Sequence, residues 1–319
     1  MGRQGFFSVV LRLIGVEIYK LRCRTMSRVM SVIAILSVLI VFIMVGLSAA
    51  LANAAPLSSY THTVVGEIPA SEALQAKHAI LTNITEPVRL PNALFTITQI
   101  INTVGLALII ILAGTIVGGE YAVGTIRLMF TRGPTRTQFI VAKLGAILTC
   151  ALLGTIVLTI LGLVLGTAIN LTFGINADMH FFNGTWLLHA LLYLALTVLN
   201  LFSYAVIAAC LSTLGRTTAA GVAGTLIWWV LENILSGILY LLSTAFSQGF
   251  VGVFLRFIPD YFIYNNLNAL LQNQHQYLLS DSTQPAQIPD VHALIVLAVY
   301  LVLLIGITWW VNEKRDVTN

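Results

Sequence analysis

Apolar residues gather in six long runs, at roughly 29–51, 95–117, 139–169, 187–213, 217–243 and 291–311, with polar connections between them. A helix needs about 20 apolar residues to cross a hydrocarbon core, where unpaired backbone N–H and C=O groups find no water. Each run meets that length, and the third is long enough to tilt or to project from the bilayer. Trp186 opens the fourth run, and Trp309 and Trp310 close the sixth, at depths where indole rings favour the interface. The pattern predicts an all-α polytopic membrane protein with six transmembrane helices. The first run ends in Ala50-Leu51-Ala52-Asn53-Ala54-Ala55, which resembles a signal-cleavage site. However, it is longer than the usual h-region of about 7–15 residues and follows a substantial leader, so an uncleaved first span is expected.

The leader, residues 1–28, has a helical rhythm of its own. Phe7, Val10, Leu11, Ile14, Ile18 and Leu21 recur at i, i+3, i+4 spacing, while Arg12, Glu17, Lys20, Arg22 and Arg24 fill the remaining arc. An amphipathic N-terminal helix lying in the membrane interface is expected, its basic side chains toward anionic headgroups. Between the first two runs, Ser71 suggests the N-cap of a short helix near 72–82. Between the last two, Phe250 to Ile258 is apolar but too short to span, and Pro259 interrupts it. A pair of surface or partly re-entrant helices is expected there.

Charge then orients the chain. Thirteen of the sixteen Lys and Arg residues precede the first run, follow the last, or lie in or just beyond the second-to-third and fourth-to-fifth connections. Lys77, Arg89 and Arg256 fall on the other side, among seven acids. By the positive-inside rule both termini face the cytoplasm of a multi-pass cell-membrane protein. The net charge of +4 thus points to membrane lipid as a partner and not to nucleic acid. With 58% hydrophobic and 9% charged residues, a soluble globular protein, a disordered chain and a secreted disulfide scaffold are excluded. The three cysteines, Cys23, Cys150 and Cys210, show no C-x-x-C spacing.

Few residues offer chemistry. There is no phosphate-binding G-x-x-x-x-G-K-[ST] loop, no H-E-x-x-H helix and no G-x-S-x-G elbow. The six histidines are scattered toward the outer side, and no catalytic residue, bound cofactor or metal is expected on this chain. Glu232, in Trp228-Trp229-Val230-Leu231-Glu232-Asn233, is the acid within a span, where a carboxylate must meet a cavity or a partner. Glu232, Asn233, Asn200 and Tyr204 form the expected intramembrane polar site, either a cation or proton contact or a packing device. Asn102 and Ser203 are candidates for the same interior.

The most informative stretch is 113–143, AGTIVGGEYAVGTIRLMFTRGPTRTQFIVAK. Gly118-Gly119 is expected to end the second membrane helix, and Glu120 to open a short new one over 120–130, where an acid in the first turn complements the helix dipole. Arg132-Gly133-Pro134 should stop it, and Thr135-x-x-Gln138 has the form of a capping box that launches the third span. A compact Arg-rich helix on a tight hairpin is expected to dock against a partner.

Gly118-x-Glu120-Tyr121-x-x-Gly124-Thr125-Ile126-Arg127, then Thr131-Arg132-Gly133-Pro134-x-Arg136 and Lys143, resembles the permease subunits of ABC type 2 exporters. The chain end, Trp310-Val311-Asn312-Glu313-Lys314-Arg315-Asp316, is similar to the close of such subunits. The resemblance implies a connecting helix over 1–28, a permease domain over 29–313 and a cytoplasmic tail over 314–319. It also implies a second permease, identical or different, and two separate ATP-binding subunits that hold ATP and Mg²⁺. Glu120, Tyr121, Gly124, Thr125, Arg127, Arg132 and Arg136 then lie at the ATPase-coupling interface, and the cargo is a drug, peptide, lipid-like compound or ion moved outward. Two other readings remain: a stand-alone proton-coupled transporter using Glu232, and a membrane sensor or assembly factor that transports nothing.

Overall fold

A computed structural model describes residues 5–56, 62–63, 66–67, 69–123, 135–175, 182–246, 250–279 and 288–314. Helix α1 covers Phe6–Cys23, and α2 covers Thr25–Ala54. A two-residue antiparallel pair, β1 (His62–Thr63) with β2 (Gly66–Glu67), precedes α3 (Ala70–Thr85). The second apolar run is α4 (Asn92–Ile100), one π-helical turn (Ile101–Gly105) and α5 (Leu106–Val123) in unbroken succession. Then come α6 (Arg136–Thr172), α7 (Gly184–Gly215), α8 (Thr218–Ala245), α9 (Phe250–Phe257), α10 (Ile263–Leu279) and α11 (Asp290–Lys314).

Six helices among the described residues are long and apolar enough to cross a membrane: Thr25–Ala54, Asn92–Tyr121, Arg136–Thr172, Gly184–Gly215, Thr218–Ala245 and Asp290–Lys314. They coincide with the six apolar runs to within a few residues at each end. At about 1.5 Å per residue the 37 residues of α6 stretch to roughly 55 Å, well beyond a hydrocarbon core of about 30 Å. Helix α7 is the hub, packing on α5, α6, α8, α10 and α11. Its face carries Tyr193, Leu201, Tyr204, Ala205 and Ala208, all nearly inaccessible. By contrast α2, α8 and α11 turn most of their apolar side chains outward, as lipid-facing helices do.

Gly118-Gly119 does not end the second span. The helix continues through both glycines to Val123, so Glu120 sits inside an existing helix and does not open a new one. The glycines serve a close crossing. A Cβ on Gly118 would lie 2.7 Å from the Thr218 backbone, and one on Gly114 would lie 2.6 Å from Val222 Cγ2. Gly114-x-x-x-Gly118 is thus a small-residue face that lets the start of α8 approach α5 backbone to backbone. Gly118→Ala is expected to force the helices apart and to destabilise the protein by about 1–3 kcal/mol, the usual cost of overpacking. Comparing detergent-solubilised wild type and variant in an SDS or thermal unfolding series checks this.

The short helix after the first span is present as α3, but Pro69 and not Ser71 stands at its N-cap. The Thr135 capping box is formed as the sequence indicates: Gln138 N–H donates to Thr135 Oγ1 at 3.2 Å, and Thr135 N–H donates to Gln138 Oε1 at 2.9 Å. Of the two alternatives for 244–290, a surface helix does not describe α10, which packs among α7, α8 and α11 and buries Ile263, Leu267, Leu270 and Leu271.

A candidate functional site at one end of the bundle

Helix α1 packs along α6. Its inward stripe is Val10, Ile14, Glu17 and Leu21, whereas Phe7 and Leu11, expected on the same stripe, are exposed. The switch follows from where α6 presents space. Gly145 is so close to the Ile14 side chain that an added Cβ would meet it at 2.6 Å. That contact rotates Glu17 inward, toward charges on other helices.

Glu17 meets Lys20, whose Nζ lies 2.8 Å from Glu17 Oε1 and 3.4 Å from Glu120 Oε1. Glu120, only 6% exposed, also lies 3.0 Å through Oε2 from Lys143 Nζ on α6. Lys143 is 2% exposed, donates to the Ile116 carbonyl at 2.5 Å, and stands 4.7 Å from the Phe139 ring centre. Two carboxylates and two ammonium groups from α1, α5 and α6 thus form a formally neutral cluster, buried except at the partly exposed Lys20. Ions taken from water cost several kcal/mol each unless well paired, and here the pairing is mutual.

Burial works against the charge on Lys20, but the hydrogen bond and field of Glu17, with those of Glu120, outweigh it and raise its pKa above 10.5. A raised lysine stabilises fully below its unfolded-state pKa and loses that contribution as pH climbs through the folded-state value. Stability should therefore show no step from Lys20 across neutral and mildly alkaline pH, and Lys20→Met should remove its share of the loss on the strongly alkaline limb of a pH–stability curve.

The next residue extends the cluster to the last helix. Tyr121 donates from its hydroxyl to Asn312 Oδ1 at 3.1 Å. Arg136 donates to the carbonyls of Asn312 (2.8 Å) and Glu313 (2.7 Å) in the last described turn of α11. Trp309 Nε1 donates to Thr137 Oγ1 at 3.1 Å. One end of the bundle is therefore tied across α1, α5, α6 and α11. Gly124, Thr125, Arg127 and Arg132 lie outside the described residues, so of the coupling segment expected over 120–130 only 120–123 is described, as the end of α5.

The expected intramembrane polar site divides. Glu232, midway along α8, accepts from the backbone N–H of Ile263 (3.2 Å, Oε1) and of Tyr264 (3.1 Å, Oε2), and Tyr204 OH donates to Oε2 at 3.4 Å. The carboxylate caps the first turn of α10, whose leading N–H groups have no partners within their own helix. One turn on, Ser236 donates to Asn265 Oδ1 at 2.9 Å and repeats the attachment. Asn200 instead donates to Asn102 Oδ1 at 2.9 Å, at the π-helical turn, and Asn233 joins neither pair among the described interactions. No group of three metal-ligating side chains occurs among the described residues. His189 bonds Gln274 and stacks on Tyr277, and His292 bonds the Asp260 carbonyl.

The architecture defines a helical bundle whose six apolar helices have the length and composition to span a membrane, tied at one end by a buried charge cluster. The chain belongs to the family described as Protein of unknown function (DUF2705), whose model matches residues 91–318. That match takes in Glu120, Tyr121, Lys143, Glu232 and Asn312, and begins after α1 and α2. No curated protein matches the chain.

Proposed function

We propose that this chain is the membrane-spanning permease subunit of an ATP-binding-cassette exporter, with both termini in the cytoplasm and α1 lying in the inner interface as a connecting helix. The observation that carries the reading is the placement of the charge cluster. Glu120 and Tyr121 immediately precede the Arg-rich segment 124–134, and through Lys20, Lys143 and Asn312 they join that segment's root to α1, α6 and α11. A partner that pushes on such a segment moves helix ends as a unit, since tightly packed elements shift between discrete arrangements. The arginine excess at this end supports its cytoplasmic placement.

ATP and Mg²⁺ belong to two copies of a separate subunit in this reading, and a second permease, identical or different, completes the path. The cargo class stays a drug, peptide, lipid-like compound or ion. The use of both Glu232 oxygens on α10 weighs against a proton-coupled carrier built on that residue, because neutralising it would loosen a structural cap. Charge reversal at Glu120 is a poor probe of docking, since an arginine there would face Lys20 and Lys143 in a buried space. Arg127→Glu is the cleaner variant. An affinity-tagged wild type extracted in mild detergent should retain an ATPase bearing a phosphate loop, and Arg127→Glu should lose it while keeping its own monodisperse profile. Equal recovery of ATPase with both, or with neither, would refute the coupling role.

A further inference from the structure

Between α2, the α4–α5 junction and α6 lies a crevice of about 330 Å³, within the range of roughly 300–1,000 Å³ typical of small-molecule sites. Its wall is almost wholly apolar, and it opens beside the outward-facing Ile35, Leu153 and Val157. One feature shows that neighbouring side chains do not fill it there: a Cβ on Gly154 would meet nothing within 4 Å.

One end of the crevice is polar. Ser27 and Ser31 line it there, on the first two turns of α2. Arg28 falls on the same helical stripe, three residues before Ser31, and Arg24 is the extended residue just ahead of the helix; both are exposed. Arg28 Nε donates to the Arg22 carbonyl at 3.2 Å, which fixes that side chain at the α1–α2 corner. The N-terminus of α2 has no side-chain cap, so its first N–H groups and dipole add to the positive field.

We infer that this crevice binds one acyl chain of an anionic phospholipid, with the phosphate held by Arg24, Arg28 and the start of α2. The ligand follows from the juxtaposition: a dry slot at the lipid-facing surface, with cationic and hydroxyl donors only at the end nearest the basic face. A neutral or cationic amphiphile would waste the arginines, and a soluble anion would leave the slot unfilled. The inference rests on the membrane placement of the six helices and not on ATP coupling. A lipid held against the π-helical turn at Ile101 and Gly105 would sense any movement of the second span.

The test uses full-length protein in phosphatidylcholine vesicles containing phosphatidylglycerol with a mid-chain diazirine. Adducts are mapped by peptide mass spectrometry after illumination. Adducts concentrated at 101–112 and 150–158 are expected, with Gly154→Leu, which fills the slot, reducing them to the level of the other lipid-facing helices. Arg24→Gln and Arg28→Gln should each weaken phosphatidylglycerol labelling about fivefold, the loss of about one unit charge near the headgroups, and leave labelling by a diazirine phosphatidylcholine unchanged. Labelling of α8 and α11 equal to that of the crevice walls, insensitivity to Gly154→Leu, or protein–protein adducts in place of lipid ones (a second copy in the slot) would each overturn the proposal. Both leaflets carry the probe and no ATPase is present, so this result is independent of the exporter reading.

Discussion

Replacing Glu120 by Gln should lower the unfolding free energy of the solubilised protein by about 3–5 kcal/mol, because Lys143 would be left charged, buried and without its counter-ion. Lys143 is 2% exposed, so water does not take the place of the lost carboxylate. The magnitude therefore reflects an uncompensated ion and not the worth of one hydrogen bond. Lys143→Met alone should cost less, since Glu120 keeps Lys20 at 3.4 Å. The double variant Glu120→Gln with Lys143→Met should recover most of the loss, because it removes both charges of the buried pair together. Additive single effects in that cycle would show that the two residues do not interact. Recovery of stability without recovery of ATPase binding would separate the cluster's structural contribution from the coupling proposed for it.

Glu232→Ala should release α10. The N–H groups of Ile263 and Tyr264 and the hydroxyl of Tyr204 lose their acceptor in a region with little water, at a cost of about 1–3 kcal/mol per buried group left unpaired. The effect should be regional: faster amide exchange across 263–279, little change in α5 or α6, and readier proteolysis between α8 and α11. Glu232→Gln keeps one carbonyl acceptor and should fall between wild type and Ala. If Gln matches wild type in exchange and Ala does too, Glu232 is not holding the helix.

What could be read from the chain was what lies close along it. The six spans follow from uninterrupted apolar length, and the Thr135–Gln138 box from four consecutive residues whose side chains and backbone complete each other's hydrogen bonds. What escaped depends on partners far away in sequence. Gly118-Gly119 reads locally as a stop, yet the glycines make room for Thr218, a hundred residues on. Glu17 reads as a solvated charge on the polar arc, because its local partner Lys20 gives no sign that Glu120 completes the cluster. Glu232 was recognisable as an anomaly, but its partners are backbone N–H groups 31 and 32 residues later, which every non-proline residue carries. The Asn102–Asn200 pair lies beside a π-helical turn whose only local trace is the polar and small set Asn102, Thr103 and Gly105 in an apolar run.

The claim on which the account turns is that this bundle takes its energy through its basic end from another protein. Native mass spectrometry of the assembly, extracted from its own membrane in mild detergent, tests that directly. The predicted result is one mass containing two membrane chains and two copies of an ATP-binding subunit. A chain that appears only alone, or only with copies of itself, would contradict it.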